Sequence, residues 1–107
     1  MISLDEFRRL DLRIGDIVSA EAIPGSARLL RVEVDLGGER RTLVAGLAKH
    51  YQPESLLGLK VVVLANLTPA VIHGVESQGM LLGAGCAGTA PALLTVNQPV
   101  PKGTPVQ

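Results

Sequence analysis

Residues 30–36 alternate without interruption: Leu30, Val32, Val34 and Leu36 fall on one side, Arg31, Glu33 and Asp35 on the other. A period of two is that of a strand with one face buried and the other wet. Gly37-Gly38 then turns the chain into Arg40–Ala45, which predicts a hairpin partner. Other segments read the same way. Leu12 to Ile23 is rich in β-branched residues and interrupted at Gly15-Asp16, which predicts a strand bent or bulged at the glycine. Pro24-Gly25-Ser26 reads as a turn. The unbroken apolar run Val61 to Ala65 predicts a strand buried on both faces, and a further strand is expected around residues 79–82.

Helical signals are few. Ser3-Leu4-Asp5-Glu6 has the form of a capping box, and Leu4, Phe7 and Leu10 recur at helical spacing, which predicts a short helix over about residues 3–10. Within the connector 46–58, Pro53-Glu54 opens one helical turn that ends by Gly58. No helix is long enough for a parallel crossover. About five bent strands in one domain of 107 residues therefore predict an all-β, five-stranded Greek-key barrel of the OB type, with a short N-terminal helix and a short helix before strand four. The last 25 residues carry short apolar pieces, Ala92-Leu93-Leu94 and Val100, between Pro and Gly, as an appendage that packs on something.

Charge is balanced overall, with 10 basic and 10 acidic side chains, but residues 61–107 hold only Glu76 and Lys102. So few charges leave a small domain short of solvated surface, which points to self-association. A well-buried C-terminal half with a neutral polar surface is the alternative. Zero net charge argues against a generic basic grip on nucleic acid, and two aromatic residues argue against stacking single-stranded bases on rings. The lone Cys86 excludes an internal disulfide and a thiolate zinc site; it reads as a packed thiol in a reducing, cytoplasmic setting. The charged N-terminus lacks a signal pattern, and no stretch reads as a membrane span.

Reaction chemistry is not visible. No phosphate-cradling glycine loop occurs, and His50 and His73 lie 23 residues apart without a cysteine companion. Val75-Glu76-Ser77-Gln78-Gly79 lacks the strained G-x-S-x-G turn of serine hydrolases. The expectation is no enzyme, no catalytic residue, no metal and no cofactor.

Polar recognition chemistry concentrates in residues 66–82, where Asn66, Ser77, Gln78 and Met80 stand among glycines between two apolar strands. Two readings are open. Either these side chains form a recognition surface, or Asn66 and Ser77 cap turns, Gln78 is solvated and Met80 fills the core. The segment Asn66-Leu67-x-Pro69-Ala70 followed by Gly74-Val75-Glu76-Ser77-Gln78-Gly79-Met80-Leu81-Leu82 resembles the signature of the tRNA-binding OB-fold family. That family comprises free-standing structure-specific tRNA-binding proteins and C-terminal domains of methionyl-tRNA synthetases. Asp11-Leu12-Arg13-Ile14-Gly15, Val34-Asp35-Leu36-Gly37, Val44-Ala45-Gly46-Leu47-Ala48 and Tyr51-x-Pro53-Glu54-x-Leu56-x-Gly58 match in order.

The resemblance implies a barrel over about residues 11–84 and a C-terminal dimerisation extension over about 85–107. It further implies non-catalytic, structure-specific binding of tRNA by a homodimer, free-standing or attached to a synthetase. Ser77, Gln78 and Met80 would lie on the RNA-facing surface with Asn66 at its edge, and Arg28, Arg41 and Lys49 would contact phosphates. Gly25-Ser26-Ala27-Arg28-Leu29 departs from the family's Asn-Ala-Asp-Lys-Leu, keeping the cation and losing the carboxylate. Ala70-Val71-Ile72-His73 stands where the family carries basic residues, so His73 supplies a cation there only when protonated. Thinned charge of this kind favours an alternative: a protein-binding, chaperone-like or synthetase-dimerising module with weak or no tRNA affinity.

Overall fold

In the computed structural model, which describes residues 1–85 and 90–107, the alternating segment is a strand whose inward side chains Leu30, Val32 and Val34 are fully buried. Along the chain come α1 (Leu4–Phe7), β1 (Leu12–Ala22), β2 (Leu30–Asp35), β3 (Arg40–Ala45), α2 (Pro53–Leu56), β4 (Lys60–Leu64), β5 (Ala70–Ile72), β6 (Val75–Ser77), β7 (Met80–Leu81), β8 (Gly83–Ala84) and β9 (Ala92–Leu93). Five strands form one antiparallel sheet in the order β3-β2-β1-β4-β7, curled into a nearly closed barrel. The pairs β5-β6 and β8-β9 are separate two-stranded sheets.

The long β1 makes the barrel possible because it serves two partners. Leu12–Asp16 pairs with β4, and Asp16–Ala22 pairs with β2. The bulge lies between Ile17 and Ser19, not at Gly15, which pairs in register with Val61. Gly15 answers a different need. A Cβ there would run into the Val34 side chain and come within 2.9 Å of Leu36 Cδ2, so only glycine lets β1 pass this close to the core.

The capping box of α1 is complete: Glu6 N donates to Ser3 Oγ at 3.1 Å, and Ser3 N donates to Glu6 Oε1 at 3.0 Å. The α-helix itself stops at Phe7, shorter than the spacing of Leu4, Phe7 and Leu10 suggested, and closes in tight turns, Arg9 N to Glu6 O and Leu10 N to Phe7 O. Pro53 opens α2 as expected, and Leu56, fully buried, belongs to the main core.

Burial explains the Val61–Val63 run. Val61 and Val63 face the barrel interior with Ile17, Leu30, Val32, Val34 and Leu43. Val62 faces outward beside Leu12 and Ile14, and there the C-terminal segment covers it with Val96, Val100 and Val106. Backbone bonds fasten that cover to β1: Gly103 N to Ile14 O at 2.6 Å, Ile14 N to Thr104 O at 2.9 Å and Val106 N to Leu12 O at 2.8 Å. Lys102 Nζ lies 2.9 Å from Asp35 Oδ2. Each buried aliphatic side chain contributes about 1.5–3 kcal/mol, so the charge-poor C-terminal segment stabilises its own barrel. Cys86 lies outside the described residues.

Candidate nucleic-acid interface

The signature stretch sits where the barrel closes. Strand β3 has β2 on one side, and its other edge faces residues 77–79. There side chains stand in for a neighbouring strand. Val44 N donates to Ser77 Oγ at 3.0 Å, Thr42 N donates to Gln78 Oε1 at 3.1 Å, and Gln78 N donates to Thr42 O at 2.8 Å. Ser77 is only 6% exposed, and its hydroxyl also donates to Gly79 O at 3.1 Å. Gly79, at φ 144°, leaves no space for a side chain: a Cβ would lie 2.7 Å from Leu64 O and 3.2 Å from Leu43 Cδ2. Ser77 therefore does not present its hydroxyl to a ligand. It replaces a ladder bond that the barrel geometry leaves open.

Arg41 and Asn66 are fasteners of the same kind. Arg41 Nη1 donates to Ala65 O at 2.6 Å and to Gln78 O at 3.1 Å, while Nε and Nη2 hold Glu39 at 3.2 Å. That grip, reinforced by Arg13, holds the Glu39 carboxyl below its ordinary range. The hydrogen bond from Arg13 does the same to Asp11. Asn66 Oδ1 accepts from Asp11 N at 2.9 Å and Nδ2 donates to Arg9 O at 2.7 Å, tying the loop after β4 to the α1–β1 junction. Asn66 and Ser77 are thus bonded internally, but not as local turn caps: their partners Asp11, Arg9 and Val44 are distant in sequence, and only the Ser77 bond to Gly79 O is local. Gln78 is bonded to β3 rather than solvated, and Met80 is 44% exposed rather than filling the core.

His73 occupies the turn between β5 and β6, with φ 48°, followed by Gly74 at φ 78°. Two successive positive φ values make the tight turn that hairpins favour. Sequence reasoning missed this hairpin. Its strands are three residues each, and the turn begins with a histidine instead of asparagine or glycine.

Arg28, Lys49 and Met80 converge. They line a groove of about 570 Å³ together with His50, the backbone around Val44–Leu47, and Pro91 and Leu93 of the C-terminal segment. Two bonds hold lining residues in place. Ala48 N donates to Arg28 O at 3.0 Å, bringing Arg28 beside Lys49, and Tyr51 Oη donates to Pro91 O at 2.8 Å. Among the described residues no Asp or Glu lines the groove. Of the ten Lys and Arg side chains, Arg8, Arg13, Arg31, Arg40, Arg41, Lys60 and Lys102 are ion-paired. Among the described residues Arg9, Arg28 and Lys49 have no acidic partner, and two of these three share the groove. His50 is the lining residue that sequence reasoning passed over; its only signal was adjacency to Lys49. Among the described residues no three of His, Cys, Asp and Glu cluster as a metal ion would require, and no helix is long and apolar enough to cross a membrane.

A nearly closed, five-stranded antiparallel barrel with two short helices and a cationic groove on its rim defines an OB-like binding domain. Residues 12–105 match the family model described as "Putative tRNA binding domain", and the chain belongs to that family. It is 54% identical over 107 residues to a methionine–tRNA ligase of Methanosphaerula palustris, and 50% identical over 105 residues to that of Thermotoga maritima. These matches take in 100% and 98% of the chain but 16% of either ligase, so the chain spans about a sixth of the length of these relatives. Among solved structures, a MetRS-related protein from Pyrococcus horikoshii superposes with a TM-score of 0.93 at 37% identity, over 100% of this chain and 98% of that one. The chaperone CsaA from Bacillus anthracis does so at 0.90 and 32%, over 100% and 99%.

Proposed function

We propose that this chain is a non-catalytic module that binds folded tRNA through its phosphates, works as a homodimer, and serves a methionyl-tRNA synthetase as an appended or associated domain. The observation that carries the reading is the pairing pattern of its cations. Zero net charge does not oppose RNA binding when the opposite charges neutralise one another elsewhere on the barrel and leave Arg28 and Lys49 unpaired at one groove. Phosphate contacts of this kind position an RNA without reading its bases. Arg41, Asn66, Ser77 and Gln78 support the interface from behind by holding β3 and the loops in place, and His73 adds to it only at its edge. Residues 1–107 act as a single domain, barrel plus extension, in the cytoplasm.

Filter binding of unfractionated tRNA at two salt concentrations tests the reading. It predicts affinity that falls steeply with salt and exceeds that for a single-stranded RNA of equal length; salt-independent or absent binding rejects it. The homodimer is supported by the exposed apolar side chains Ile2, Leu4 and Leu10, of which Leu4 and Leu10 line a cleft with Val106 beside the charge-poor C-terminal segment. Sedimentation at micromolar concentration should give about twice the chain mass, and a monomer would reject it. A protein-binding role is the second reading, favoured by the close likeness to a chaperone and by the absence of cations at residues 70–72. Peptide-array binding without tRNA affinity would select it.

A further inference from the structure

We propose that the groove takes one unstacked nucleotide of the RNA, with its phosphate between Arg28 and Lys49 and its base against Met80 and the His50 imidazole. This rests on the tRNA reading above and adds to it a defined subsite.

The groove's lining is of two chemical kinds. Among the described residues Arg28 and Lys49 supply cations with no acidic counter-charge, while Met80, Leu81, Pro91 and Leu93 supply apolar lining. A phosphate alone would leave that apolar lining in water, and an apolar side chain alone would leave two cations desolvated without a counter-ion. A nucleotide satisfies both. About 570 Å³ lies within the range of small-molecule sites and far exceeds what one phosphate fills. Unstacked bases are held on histidine rings, guanidinium planes and polarisable thioethers, so a domain poor in Phe, Tyr and Trp is still equipped at this one place. The backbone provides for it. Gly46 has no Cβ, and one placed there would stand 3.1 Å from Arg28 Nη1, so the guanidinium lies close over the glycine. Met80 stays 44% exposed on β7, where its neighbour Leu81 is the side chain packed against the main core.

The test is an NMR titration of the 107-residue protein with AMP, ribose 5-phosphate and inorganic phosphate, with tRNA binding measured in parallel. AMP should shift the amides of Val44–Leu47, Met80 and Leu81 and bind about tenfold more tightly than ribose 5-phosphate, a base-stacking gain. Met80→Ala should weaken AMP about fivefold and leave ribose 5-phosphate unchanged, whereas Lys49→Gln should weaken both alike. Added tRNA should displace the AMP. Equal affinity for AMP and ribose 5-phosphate, or shifts elsewhere on the barrel, overturns the subsite. AMP that tRNA does not displace overturns its assignment to RNA. Intact, salt-dependent tRNA binding with no preference for AMP sinks this inference alone, while failure of tRNA to bind at all sinks the tRNA reading with it.

Discussion

Replacing Ser77 by alanine separates a structural role from a recognition role at a single atom. The hydroxyl accepts from Val44 N at 3.0 Å and donates to Gly79 O at 3.1 Å, at a position 6% exposed. Ser77→Ala removes both bonds and puts no new atom in their place. An orphaned polar group in such a setting costs about 1–3 kcal/mol, and Val44 N is less deeply buried than Gly79, so the combined loss is about 2–4 kcal/mol. Against a stability of about 5–15 kcal/mol for a domain of this kind, that is a large fraction. At roughly 4–8 °C per kcal/mol for a chain near 100 residues, the midpoint should fall by about 8–32 °C. Thermal and urea unfolding followed by far-UV circular dichroism measures it, and tRNA affinity of the variant well below its midpoint should stay within about twofold of the parent. A variant with unchanged stability and a tenfold loss of tRNA affinity would refute the reasoning, because the hydroxyl would then be facing RNA.

Two further outcomes follow from the same seam and its charge network. Gly79→Ala forces a Cβ to 2.7 Å from Leu64 O at a positive φ and should cost about 3 kcal/mol, read as a lower urea midpoint; a neutral substitution would show that the seam yields easily. The carboxyls of Asp11 and Glu39 are held below their ordinary ranges by Arg13 and Arg41 respectively. Their folded pKa values lie below the unfolded ones, so the stability they contribute is present above about pH 4 and is lost as pH falls through the depressed values. The melting temperature should drop on acidification below about pH 4, less so in Glu39→Gln, and a flat profile would contradict the assignment.

Much of the barrel was legible because its rules are local. The alternation at residues 30–36 and the continuous run at 61–65 each state how many faces a strand buries, and the capping box states where α1 begins. What stayed hidden depends on contacts distant in sequence. Gly15 looks like a bulge signal, yet its constraint is the Val34 side chain on the neighbouring strand β2. The β5-β6 hairpin escaped notice because three-residue strands carry too little periodicity. The candidate site divided along the same line. Resemblance grouped Arg28, Arg41, Lys49, Asn66, His73, Ser77, Gln78 and Met80 together, but the structure gives Arg41, Asn66, Ser77 and Gln78 to internal bonds and brings Arg28, Lys49 and Met80 to the groove. Composition counts charges; only the fold shows which of them are already paired.

The direct test of the account compares two double variants that remove equal charge. Arg28→Gln with Lys49→Gln takes away the two unpaired groove cations, while Arg31→Gln with Arg40→Gln takes away two exposed cations already paired with Glu21 and Glu33. Measured for tRNA across a salt series, the groove variant should lose about tenfold or more in affinity, and its log–log salt slope should flatten by roughly 1 to 2. The control should stay within about twofold of the parent with an unchanged slope. Equal losses in the two variants would contradict the claim that tRNA is held at the groove by the cations the fold leaves unpaired.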